Sequence, residues 1–157
     1  MLLTEDPGAA VVHELVPMPD PARCCESLAG QPYRVFLDSA AKGARLGRYS
    51  FVAADPIAVV RSKGSRAECL DCLSGELRVS NRDPLDVLRE LLEPHKATSI
   101  PLLPPLQGGA IGFLSYDWGR TLERVPACRF DDLALPDVVF GVYDWSWRGI
   151  TRHRERG

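Results

Sequence analysis

The 157 residues, 45% hydrophobic and 25% charged, suit one globular domain that buries roughly two-thirds of its unfolded surface. A formal net charge of −2, from 19 basic and 21 acidic side chains, excludes broad electrostatic capture of nucleic acid or of an anionic membrane. No apolar run is long enough to cross a bilayer and the first residues lack the order of a secretory signal, so the cytoplasm is the expected location.

In chain order, a short strand is expected at 11–16, interrupted by Pro17, Pro19 and Pro21. Asp20-Pro21 reads as a helix cap followed by proline in the first turn, with Gly30 as the stop. Strands are expected at 33–39 and 48–54, joined by a loop at 40–47, and again at 57–62 after Asp55-Pro56. Residues 67–73 and 76–80 form a hairpin around Ser74-Gly75. The clearest helix begins at Asp83-Pro84. Leu85, Leu88, Leu91 and Leu92 share one face suited to covering a sheet, and Pro94 stops the helix near Glu93. A proline-rich loop, 100–105, leads into a glycine-rich strand, and the last expected strand is 138–145. The fold class is therefore α+β: mostly antiparallel, sandwich-like sheets with two or three outer helices.

The five cysteines carry little chemistry. Cys69-Leu-Asp-Cys72 has the spacing of half a zinc site, but no second pair completes four ligands. Cys24, Cys25 and Cys128 are scattered, as are His13, His95 and His153. Reduced, half-buried thiols are expected, with no metal site.

More telling is the segment 107–120. Gly108, Gly109 and Gly112 sit in an apolar strand-like run, where glycine marks a bulge or the close approach of a backbone or ligand. The run breaks into Tyr116, Asp117, Arg120, Glu123 and Arg124 before Pro126, a functional or interface corner. The alternative is a core strand with a solvated, charged exit.

Four segments recur in a recognisable order: Phe36-Leu-Asp-Ser39; Gly47-Arg-Tyr-Ser-Phe-Val-Ala-Ala-Asp-Pro56; Asp83-Pro-Leu-Asp-Val-Leu88; and Gln107-Gly-Gly-Ala-Ile-Gly112, running on through Tyr116, Asp117 and Arg120. Together they resemble the amino-terminal domain of the chorismate-using synthases, component I of anthranilate synthase and of aminodeoxychorismate synthase. The ending 135–145 most resembles the aminodeoxychorismate, or para-aminobenzoate, branch of folate synthesis.

The resemblance implies that residues 1–157 are a single regulatory and structural module, with the carboxy-terminal catalytic domain absent. In the family that larger domain holds chorismate, magnesium and the catalytic acid and base, and a glutamine amidotransferase subunit supplies ammonia. No lysine or glutamate here matches those catalytic positions, so the chain alone is expected to be inactive and magnesium is expected only with the missing domain. The basic end, 147–157, fits a trimmed chain, a gene fragment, a shifted reading frame or simply a frayed terminus.

The resemblance also implies part of a pocket for a tryptophan-type ligand, built from Leu37, Asp38 and Ser39 with Ser50 eleven residues later. Asp38 stands where feedback-regulated members often carry glutamate. Leu46, Gly47, Arg48 and Tyr49 would close the other side. Such a ligand needs acceptors for its ammonium, among them Asp38 and the Ser39 hydroxyl, and apolar walls for its ring. Read without the family, Asp38 and Ser39 merely end a strand, and Arg48 pairs with Asp55 or Asp38. Gly108, Gly109, Tyr116, Asp117 and Arg120 are assigned to the domain interface, with an Asp117–Arg120 contact at one-turn spacing. Phe113, Trp118, Trp145 and Trp147 are expected to be exposed there. The other readings are an anthranilate synthase component I fragment, or a stand-alone module that binds an aromatic amino acid.

Overall fold

The structure, a computed structural model, describes residues 11–39, 48–124, 126 and 130–150. Two antiparallel sheets and their helices make an α+β fold, as the sequence pattern predicts. Helix α1, Pro21–Ser27, begins where Asp20 Oδ1 accepts the Arg23 N–H at 3.1 Å, and it ends before Gly30. Strands β1, Val35–Leu37, and β2, Tyr49–Ala53, follow. Then come β3, Ala58–Lys63, β4, Arg66–Asp71, and β5, Leu77–Ser80. Helix α2, Pro84–Leu92, is capped by Asp83 and runs into a short 3-10 turn, Glu93–His95. Strand β6 is Gly109–Leu114, a 3-10 turn spans Tyr116–Thr121, and β7 is Val138–Tyr143.

Two expectations are corrected. Residues 11–16 form no strand, because nothing among the described residues pairs with them; Val11 and Val16 remain exposed. The chain also does not leave the sheet at residue 145. A further strand, β8, Trp147–Ile150, pairs with β2, its arginine having disguised a strand as a basic tail.

The strand order is β1-β2-β8 in the small sheet and β5-β4-β3-β7-β6 in the large one. Centrally placed β3 is buried continuously at Ala58, Val59 and Val60 rather than alternating. Helix α2 covers the large sheet, with Leu88 packed against Ala58, Val60 and Val142. Each fully buried valine contributes about 1.5–3 kcal/mol of apolar transfer. The two sheets meet where Ala53 of β2 packs against Ile111 of β6 and Tyr143 of β7, with Val35 and Leu106 alongside. Tyr143 is tied further by its hydroxyl, which donates to the Tyr33 carbonyl at 2.7 Å.

Gly112 explains the bare backbone of β6. A Cβ there would sit 1.9 Å from the Val139 carbonyl oxygen and 2.8 Å from the Phe140 ring. The close approach expected at this glycine is therefore made by the neighbouring strand and its aromatic ring. Trp147 treats Gly149 likewise, its ring lying across the space a side chain would need.

Candidate functional site

The end of the small sheet gathers most of the residues expected to bind a ligand. Leu37 lies opposite Phe51 in the β1–β2 ladder, so the next residue along, Asp38, comes beside Ser50. The Ser50 hydroxyl donates to Asp38 Oδ1 at 2.7 Å. Ser50 is only 3% exposed, whereas Asp38 and Ser39 open to solvent. A buried hydroxyl thus fixes a carboxylate whose outer face stays free. Asp38 pairs with Ser50, and the Arg48 guanidinium stands 5.4 Å over the Tyr49 ring. Leu46 and Gly47 lie outside the described residues.

Alternation turns the two faces of this sheet to different tasks. Val35, Leu37, Phe51 and Ala53 look toward the large sheet, whereas Ser50 and Val52 occupy the other face. Across the ladder from Ser50 is Gly149, covered by the Trp147 indole. On the inward face, a groove of about 460 Å³ opens between the sheets, lined by Leu37, Phe51, Leu106, Ile111, Gly112 and Phe140 among others. Its walls are almost wholly apolar.

One cation borders this groove. Arg148 lies directly opposite Phe51 on β8, and its Nη1 donates to the Leu106 carbonyl at 3.0 Å. The sequence reading missed it by placing it in the basic tail. The signal that would have found it is Trp147-Arg-Gly-Ile150, a charged side chain inside a short apolar run.

The residues expected at the interface divide between the two ends of β6. Gly108 and Gly109 both take φ +118°, a conformation that side chains resist, and so turn the loop into the strand. Arg120 Nη2 donates to Asp117 Oδ1 at 2.8 Å, the expected one-turn contact within a 3-10 turn. Tyr116 is 86% exposed. Lys63 above all, with a weaker contribution from Arg120, holds the Asp131 carboxyl below its ordinary range. Of the aromatics expected on the surface, Phe113 and Trp145 are exposed. Trp118 and Trp147 are half-buried, Trp147 because it folds over Gly149.

Cys69 and Cys72 are free and half-buried, and burial pushes both thiols up. Raised thiols are poor nucleophiles and ligands. Asp71, between them, serves the turn instead, accepting the Leu73 and Ser74 N–H groups at 2.9 Å each. Among the described residues no group of three or more His, Cys, Asp or Glu side chains is placed to hold a metal ion. No described helix is long and apolar enough to cross a membrane. Cys128 lies outside the described residues.

No family model matches the chain. Curated proteins do. Anthranilate synthase component 1 of Mycolicibacterium smegmatis is 38% identical over 111 residues, 71% of this chain and 21% of that protein. Aminodeoxychorismate synthase component 1 of Bacillus subtilis is 37% identical over 120 residues, 76% of this chain and 24% of that protein. The Salmonella typhimurium protein of the same name is 35% identical over 121 residues, 73% of this chain and 25% of its own length. The chain thus spans about a quarter of the length of the curated relatives it matches. The crystal structure of anthranilate synthase component I from Streptococcus pneumoniae TIGR4 superposes with a TM-score of 0.52 at 28% identity, covering 88% of this chain and 29% of that one. By these matches of sequence and fold, the chain belongs to the component 1 family of the anthranilate and aminodeoxychorismate synthases.

Proposed function

We propose that this chain is the amino-terminal structural and regulatory module of an aminodeoxychorismate synthase component 1, and that it forms part of a subsite for a tryptophan-type amino acid. The parent reaction replaces the chorismate hydroxyl with an amino group, using ammonia from a glutamine amidotransferase subunit. Magnesium, chorismate and the proton-transfer groups belong to the larger domain, outside this module.

The observation that carries the ligand reading is the Asp38–Ser50 hydrogen bond at 2.7 Å, which joins two segments the family pattern pairs. The free face of Asp38 suits an ammonium. The groove lies on the opposite face of the same strands, so Asp38 and Ser50 supply only the polar part of the subsite.

Calorimetric titration of the chain with tryptophan tests this. Saturable heat is expected, weakened at least about tenfold by Asp38→Asn, since one lost charge-assisted hydrogen bond is worth about 1.5–3 kcal/mol. A folded chain that gives no heat overturns the ligand reading. Anthranilate synthase component 1 is the second reading, favoured by the Mycolicibacterium smegmatis match and by the solved Streptococcus pneumoniae structure. The product made by the complete enzyme, anthranilate or aminodeoxychorismate, separates the two.

A further inference from the structure

Strand β6 ends the large sheet, and among the described residues it pairs only with β7. The Ser115 N–H donates to the Asp137 carbonyl at 2.7 Å, and Leu114 lies opposite Val138. Antiparallel alternation then turns the amides of Phe113, Ile111 and Gly109 toward β7. Those of Ala110, Gly112 and Leu114 point outward. Proteins usually blunt such an edge with proline, an inward charge or a covering element. Gly109–Leu114 contains no proline and no charged residue. Phe113 and Leu114 are exposed, and Ala110, Ile111 and Gly112 also line the apolar groove between the sheets.

The solved relative suggests the occupant. This chain covers only 29% of it, so most of that polypeptide has no counterpart here and must pack against the matched part or beside it. Resting on the reading above, we infer that the outer edge of β6 receives an extended, alternately apolar strand from the larger remainder of a component 1 synthase. The incoming strand extends the sheet by backbone hydrogen bonds at Ala110, Gly112 and Leu114 and places apolar side chains in the groove.

Amide hydrogen exchange tests the edge directly. In the isolated chain, Ile111, Phe113 and Ser115 are expected to be protected while Ala110, Gly112 and Leu114 exchange freely. In a chimera with this chain in place of the matched quarter of the Bacillus subtilis relative, those three outward amides should slow by about 100-fold or more. A chimera that aminates chorismate yet leaves them unprotected overturns this inference while sparing the proposed function. A folded but inactive chimera with protected amides does the reverse. Outward amides already protected in the isolated monomer, or protected through a dimer seen by sedimentation, refute the inference without any chimera.

Discussion

The two sheets of this molecule differ in how completely they are finished. The large sheet carries its own cover: α2 lays Leu88 on Ala58, Val60 and Val142, and β3 is buried along most of its length. The small sheet has three short strands, and its Leu37 faces an open groove at 47% exposure. One region spends its apolar residues on itself. The other leaves an apolar groove open on one face and an exposed, hydrogen-bonded carboxylate on the opposite one. Stability should therefore reside in the first and recognition in the second.

Substitutions can break or sharpen that contrast. The largest loss is expected for Gly112→Val, which drives a side chain into the Val139 carbonyl and the Phe140 ring; about 3 kcal/mol should be lost in urea denaturation. A loss below about 1 kcal/mol would show that the β6–β7 pair yields, and that the large sheet is not the rigid partner. Val60→Ala, in the closed core, should cost about 2 kcal/mol, whereas Leu37→Ala in the open groove should cost well under half of that. Equal costs would erase the distinction between the sheets.

Tyr143 joins the two regions and offers a pH handle. Burial above all, with Cys72 and Tyr33 nearby, pushes its hydroxyl from 10.0 up to about 12. The folded state therefore keeps a proton that the unfolded chain gives up. This contribution is fully present below pH 10 and is lost as the pH rises from 10 to about 12. Tyr143→Phe should remove the Tyr33 hydrogen bond at a cost of about 1 kcal/mol and flatten the stability profile across that interval. The smallest effect belongs to Arg89→Ala. It cuts an exposed pair with Asp86 and should change stability by less than about 0.5 kcal/mol.

The chain announced its helices and hairpin clearly because their signals are local. Asp20-Pro21 and Asp83-Pro84 each join a cap to a preset first turn, and Ser74-Gly75 marks its own reversal. What remained hidden depends on distant partners. Residues 11–16 have strand composition but no pairing strand among the described residues, whereas Trp147–Ile150 becomes a strand only because β2 lies beside it. The same holds for the site. Asp38 and Ser50 were visible through a family spacing, while Arg148 reaches the groove only through the β2–β8 register. Glycine at 112 signalled a close approach, yet nothing local could say that a phenylalanine across the strand was the visitor.

The measurement that bears most directly on the account is chorismate amination, with ammonia and magnesium supplied, by the chain alone and by the Bacillus subtilis chimera. The account predicts product from the chimera and none from the chain. Turnover by the isolated chain, or a folded chimera without activity, would contradict it.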